Sequence, residues 1–166
     1  MSFRGFLSEL QEVGLLKEED RPISPVLEAA ALSVGAGPVL YNNVDGKKCC
    51  MNVLGTRDLL ARALSTTRED MVRYLAEIDI DGGWTREVDS SPFMEAVSEP
   101  DLSDLPILTH FRGDGGPYIT SGIVVSAFGE KTNASVHRMM VIGKDRLAAR
   151  LVPGRHTQML LQEALS

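Results

Sequence analysis

Residues 114–156 read DGGPYITSGIVVSAFGEKTNASVHRMMVIGKDRLAARLVPGRH. Apolar, β-branched runs alternate there with turn signals. Ile123-Val124-Val125 is followed by Gly129, Val136 to Ile142 by Gly143-Lys144-Asp145, and Leu147 to Val152 comes last. This pattern predicts three or four short antiparallel strands joined tightly. The polar residues least easily read as plain surface lie in the same stretch: Thr120, Asn133 with Ser135, Arg138 and His156.

Outward from that stretch, the chain has 166 residues, enough for one ordinary domain or two very small ones. Hydrophobic residues make up 43% and charged residues 24%, as in a water-soluble globular chain. The net charge of -6 argues against a nucleic-acid partner, because phosphate binding needs clustered Lys and Arg. No apolar run reaches the roughly 18 residues of a membrane helix. Phe3 to Leu10 is interrupted by Arg4, Ser8 and Glu9, unlike a signal peptide. The expectation is a cytoplasmic protein with no membrane partner. Cys49 and Cys50 are adjacent, so on a strand they point to opposite faces; they fit no zinc spacing and read as small apolar residues.

Upstream, residues 1–80 read as an α/β layer. Phe3, Phe6, Leu7, Leu10 and Val13 follow helical spacing, with Gly14 as a stop. Ser24-Pro25 predicts a helix start, with the helix running to about Val34. Val39-Leu40-Tyr41 predicts a strand, Asp45-Gly46 a turn, and Cys49 to Leu54 a second strand. Helices are expected at 57–64 and 68–78, the second behind a capping box of Thr66 and Glu69. Residues 81–104 read as an acidic linker or crossover. It is broken by Asp81-Gly82-Gly83, Pro92 and Pro100, carries the lone Trp84, and allows a helical turn near Phe93 to Val97. Residues 105–166 form the strand-rich third region, ending in a helix from Arg155.

The chemistry these residues permit is open on spacing alone. Asp114-Gly115-Gly116-Pro117 is a plain turn or a close backbone approach to a ligand, and no Gly-Lys-Ser/Thr makes it a phosphate loop. Asn133 is a turn residue or, through its carbonyl oxygen, a ligand for a hard cation. Arg138 lies in an apolar strand, so it is either paired structurally or grips a carboxylate or phosphate. Strand alternation puts Asn133, Ser135 and His137 on one face and Arg138 on the other, so a site using both needs a bend or a ligand across the strand edge. His156 opens a helix, a position favourable to anions. No HExxH pair and no Ser-His-Asp set is assignable. The residues by themselves describe an α/β layer followed by an antiparallel, barrel-like segment, α+β overall, with an anion or cofactor site.

The order DGGPYITSG, TNASVHRMMVIGKDR, PGRH resembles the cofactor-binding core of UbiD-type decarboxylases. SFRGFLSELQEVGLL, GPVLYNNVDG and NVLGTRDLLARAL agree with it earlier in the chain. Its most specific element is Asn-x-Ser-x-x-Arg with a His 18 residues after the Arg. The resemblance implies a split β-barrel of flavin-binding type, using prenylated FMN, manganese and a potassium ion to remove CO2 from unsaturated or aromatic acids. It implies Asn133 and His156 as manganese ligands. Thr120, Ser135, Val136, His137 and Arg138 would lie along the cofactor, partly through backbone groups. Arg138 would hold the substrate carboxylate, a small-molecule acid. The family's metal-binding glutamate and two catalytic glutamates lie beyond the position of His156. Ten residues follow His156 here, and Glu163 is the one carboxylate among them. The resemblance therefore implies a second polypeptide or a homo-oligomer completing the site, a fragment of a longer enzyme, or a non-catalytic flavin- and metal-binding or assembly module.

Overall fold

The computed structural model describes residues 2–79 and 88–166. Asp81-Gly82-Gly83, Trp84 and Glu87 of the acidic segment lie outside the described residues. The chain divides into two units: Met1–Arg21 with Ser33–Glu99, and Pro22–Leu32 with Pro100–Ser166.

In the first unit, the helical spacing of Phe3 to Leu10 yields helix α1, Phe3–Glu12. Ser2 caps it by accepting the Gly5 N–H at 3.1 Å, and Gly14 leaves it at φ +71°. Its apolar face supplies Phe6 and Leu10 to a core completed by Val53 and Leu59. Leu10 is wholly buried. Leu10→Ala is therefore expected to destabilise the fold by about 2–5 kcal/mol, measured by urea unfolding.

Three strands form the unit's sheet in the order β1 (Lys17–Glu19), β2 (Val39–Val44), β3 (Lys47–Met51). β1 runs parallel to β2 and carries no apolar run, which is why the sequence hides it. β2 and β3 make a hairpin through Asp45 and Gly46, at φ +52° and +78°, the geometry that Asp-Gly turns supply. β3 ends at Met51 and does not reach Leu54. Asn52 leaves the strand at φ +59° and donates its side-chain amide to the carbonyls of Ser33 and Ala36. Cys49 and Cys50 are half-buried on β3, and burial pushes both thiols up, making them weak nucleophiles.

Helix α3 in this unit, Arg57–Ala63, is capped by Thr56, whose hydroxyl accepts the Leu59 N–H at 3.2 Å. The following helix, α4, starts at Met71 and ends at Ala76. In place of the expected Thr66–Glu69 capping box, Asp70 is the cap residue and makes no capping side-chain hydrogen bond; the turn before it is held by Thr67, whose Oγ1 accepts the Asp70 N–H at 3.1 Å and donates to its carboxylate at 2.9 Å. A 3-10 turn at Pro92–Glu95 stands where a helical turn was expected.

The Ser24-Pro25 helix start is also corrected. Helix α2 is Glu28–Ser33. Val26 instead forms a parallel bridge with Thr109, and Leu27, at φ +67°, donates its N–H to the Thr109 carbonyl at 2.9 Å. Pairing with a distant segment overrides the local start signal. Ser24 turns the chain by accepting the Val26 N–H at 3.1 Å.

The second unit is built on a meander of β4 (Tyr118–Phe128), β5 (Lys131–Val141) and β6 (Leu147–Ala149). Gly129, at φ +58°, opens the two-residue turn between the first two. The sequence predicted short strands; β4 and β5 run eleven residues each because alternation continues through their polar residues. The sheet is open, and the described residues form no closed barrel. Helix α5, His156–Leu165, packs on β4 and β5, and Lys131 pairs with Glu163 across that junction at 2.7 Å. Another 3-10 turn, Leu102–Asp104, is capped by Asp101. Hydrogen bonds from Ser103, aided by Lys144, hold the Asp101 carboxyl below its ordinary range.

The hairpin inverts the usual arrangement. Its half-buried face carries Ser126, Asn133, Ser135 and His137, while Ile123 and Val125 are each 73% exposed and Val136 is 65% exposed. Ile123 and Val136 stand opposite each other in the register, so the outer face carries a continuous apolar strip. Among the described residues, no helix is long and apolar enough to cross a membrane.

Candidate functional site

β6 pairs only with Met139, Met140 and Val141 of β5. The stretch Asn133–Arg138 therefore has β4 on one side and no strand on the other among the described residues. A cavity of about 740 Å³ lies along that edge, closed by Arg150, Val152 and the Gly154–Gln158 entry into α5. Six consecutive residues, Asn133 to Arg138, line it. A ligand lying along a strand edge meets the backbone of every residue, so side-chain alternation does not restrict which residues touch it.

Arg138 lines the same cavity although it belongs to the opposite face of β5, and it stands across from a bulge in β4. Ile119 pairs with Met139 and Gly122 with His137, so Thr120 and Ser121 together stand opposite Arg138. Such a bulge bends the strand and re-aims neighbouring side chains. The Arg138 guanidinium sits over the Tyr118 ring at 5.5 Å from its centroid. Thr120 is exposed on β4 within this bulge and is not one of the residues lining the cavity. Of the residues singled out in the sequence, Asn133, Ser135, Val136, His137, Arg138 and His156 are brought together, and Thr120 is left beside them.

A hydrogen-bonded cluster ties the strand to the helix. Asn133 Nδ2 donates to Ser135 Oγ at 3.2 Å and to Thr157 Oγ1 at 3.0 Å. Ser135 Oγ and Thr157 Oγ1 lie 2.9 Å apart, and His137 Nε2 is 2.8 Å from the first and 3.2 Å from the second. Sequence reasoning missed Thr157 altogether. Its only signal was a hydroxyl in a first helical turn, directly after His156. Ser126, the register partner of Asn133 on β4, has a buried hydroxyl with no hydrogen-bond partner among the described residues.

Electrostatically the cavity is positive. Arg138, Arg150 and Arg155 line it, and among the described residues no Asp or Glu does. The start of α5 adds to this, since its cap residue Arg155 makes no capping side-chain hydrogen bond and the residues of its first turn line the cavity. Sequence reading singled out neither Arg150 nor Arg155. The site suits an anion of phosphate type, and its size is that of a cofactor pocket.

For a divalent metal the donors fit in kind. The Asn133 amide oxygen and the His156 imidazole are acceptable to a manganese-like cation, which prefers about six ligands. The described residues hold no group of three or more His, Cys, Asp or Glu side chains able to bind a metal. These two donors alone would not complete such a coordination sphere.

Known proteins share this chain's sequence and fold. Residues 7–78 match the 3-octaprenyl-4-hydroxybenzoate carboxy-lyase N-terminal domain, and residues 86–166 match the Rift-related domain of the same enzyme. The anhydromevalonate phosphate decarboxylase of Methanosarcina mazei is 49% identical over 166 residues, covering 99% of this chain and 39% of that protein. The UbiD-class enzyme HmfF from Pelotomaculum thermopropionicum, solved with FMN, superposes with a TM-score of 0.87 at 34% identity, over 97% of this chain and 39% of that one. An evolved dimeric form of HmfF with prenylated FMN gives 0.85 at 33% identity, over 98% and 41%. The chain thus spans about two fifths of the length of these relatives. Both halves of the chain match one enzyme's consecutive domains in order, and the fold agrees throughout: the chain belongs to the UbiD family.

Proposed function

We propose that this chain is the N-terminal and partial cofactor-binding part of a prenylated-FMN-dependent carboxy-lyase acting on an unsaturated or aromatic carboxylic acid. The observation that carries the reading is the convergence of Asn133, Arg138 and His156 on one cavity that is lined by three arginines and, among the described residues, no acid. Prenylated FMN, when bound, supplies an electron sink for the electrons left behind as CO2 departs.

The chain's own residues do the rest of what is available here. Arg138 holds the substrate carboxylate with a planar, permanently charged fork. Asn133, through its amide oxygen, and His156, through its imidazole, would hold manganese. Arg150, Arg155 and the α5 N-terminus favour phosphate in the same cavity. No residue here is assigned to potassium. The likeness to the Methanosarcina mazei enzyme favours a phosphate-bearing unsaturated acid as substrate.

Proton delivery needs a carboxylic acid, which the described residues do not bring to this cavity. Glu163 does not supply it, because both its oxygens bind Lys131, at 2.9 and 2.7 Å. The chain therefore works with further polypeptide, either a second chain or the remainder of a longer one. The exposed strip of Ile123, Val125 and Val136 supports this, being a surface that association would bury. The same strip favours the second reading, a non-catalytic assembly module.

Reconstitution separates the two. The chain is mixed anaerobically with prenylated FMN and Mn2+, desalted, and its visible spectrum and metal content are recorded. The mixture is run with and without the part of the Methanosarcina mazei enzyme that lies outside the matched region. Cofactor, metal and CO2 release with that complement support the carboxy-lyase. Retention of neither group under any condition, with the complement still bound, leaves the assembly module.

A further inference from the structure

We infer that Thr157 is the positioning residue of this site, fixing the Asn133 amide so that its carbonyl oxygen faces the cavity and locking it to the chain segment that carries His156. The inference rests on the proposed metal role of Asn133 and His156.

Hydrogen-bond accounting carries it. An amide nitrogen has two hydrogens and no lone pair to offer, and Asn133 Nδ2 has two oxygens in range, Thr157 Oγ1 and Ser135 Oγ. Both hydrogens are used. The two hydroxyl hydrogens then serve each other and His137 Nε2, which acts as the acceptor. With the ring hydrogen on Nδ1, Nε2 is free to accept and every hydrogen of the cluster finds a partner within it. With the amide reversed, Asn133 Oδ1 would take the hydroxyl hydrogens, and His137 would have to donate from Nε2. The tautomer of His137 thus reports which end of the Asn133 amide faces the cavity.

Thr157 is the only member of the cluster from outside β5. Asn133, Ser135 and His137 share one strand face, whereas Thr157 sits in the first turn of α5, one residue after His156. Its hydroxyl is the one side-chain atom that joins Asn133 directly to the helix bearing His156. Such outer contacts set ligand orientation in metal sites, and their loss costs about 10–100-fold in metal affinity.

The test uses the full chain and two readouts. Without metal, NMR follows the Asn133 side-chain amide hydrogens and the His137 ring nitrogens. In the wild type the amide hydrogens should exchange slowly and Nε2 should be the unprotonated nitrogen. Thr157→Val, nearly the same shape, should speed that exchange at least about tenfold by removing an acceptor. Thr157→Ser should restore it. Ser135→Ala, which removes the other acceptor and leaves the Thr157 clamp in place, should have a smaller effect, and it serves if Thr157→Val fails to fold.

With Mn2+ and FMN added, paramagnetic broadening of the Asn133 and His156 signals reads metal proximity. Thr157→Val should need about tenfold more Mn2+ for the same broadening, in line with outer-contact losses elsewhere. Thr157→Ser should match the wild type. The inference is overturned if Thr157→Val leaves both amide exchange and broadening unchanged, or if His137 carries its hydrogen on Nε2. If Asn133→Ala also leaves the broadening unchanged, the metal reading fails, while amide exchange still decides whether Thr157 clamps Asn133.

Discussion

Arg138→Ala should lower kcat/KM for decarboxylation by about 10²–10³-fold in the chain completed by its complement, while FMN and Mn2+ retention change little. The size follows from the interaction removed. Truncating one partner of a hydrogen-bonded charge pair costs about 2–5 kcal/mol, and each 1.36 kcal/mol is tenfold in rate. The selectivity of the effect follows from placement. Arg138 is anchored over Tyr118 on the face opposite the Asn133 cluster, and it lines the same cavity. Its removal therefore leaves Asn133, His156 and the hydrogen bonds of the cluster in place. Arg138→Lys keeps the charge but loses the planar two-pronged donor, and it should recover less than about tenfold of the loss. A kcat/KM within threefold of wild type in Arg138→Ala would remove Arg138 from the substrate site. An equal loss of cofactor retention would make its role structural.

Much of this was legible from residue types and order. The outer strands of the second unit could be read because Gly129 and Gly143 punctuate β-branched runs, and α1 because its apolar residues keep helical spacing. The conflict between Asn133 and Arg138 was also visible as a problem: alternation placed them on opposite faces. Its solution was not, because the cavity runs along an edge of β5 that β6 leaves unpaired, and strand pairing of that kind has no local sign in the sequence. Arg150 and Arg155 were hidden for a similar reason. They enter the cavity only once the loop after β6 folds back along the open edge of β5.

The errors at Ser24-Pro25 and Thr66 share one cause. Capping signals are local and weak, about 1 kcal/mol each, and they yield to tertiary pairing or to a neighbouring turn. Val26 and Leu27 pair with Thr109, and Asp70, behind the turn that Thr67 holds, takes the cap position that Thr66 and Glu69 seemed to mark. The polarity of the hairpin faces is the more instructive case. Periodicity marks Ile123, Val125 and Val136 as one face, and ordinary reasoning would bury it. It is the exposed face here, because the polar face is held under α5 by the Thr157 cluster.

Asn133→Ala and His156→Ala should each reduce Mn2+ retention after desalting of the completed, FMN-loaded protein to near background, about 10²-fold or more in affinity if each supplies a direct ligand whose closest partners alone are worth 10–100-fold. Alanine alone would not separate a ligand from a structural residue, since Asn133 also organises Ser135 and Thr157. Asn133→Asp does separate them. An aspartate keeps the shape and offers the cation a stronger oxygen donor, but it has no N–H for Thr157 and Ser135. Those two hydroxyls can turn and donate to the carboxylate instead. If Asn133 is a ligand, Asn133→Asp should retain Mn2+ where Asn133→Ala does not. If Asn133 only braces the helix start, both variants should hold metal as the wild type does, because Lys131–Glu163 and the packing of α5 on β4 and β5 still fix the helix. His156 gives the complementary control. It is exposed at the start of α5 and has no part in the Thr157 cluster, so His156→Ala should leave the Asn133 amide signals as they are and still lose the metal. Loss of metal without disturbance of the cluster, set beside retention in Asn133→Asp, would assign both residues to the cation by chemistry and not by proximity.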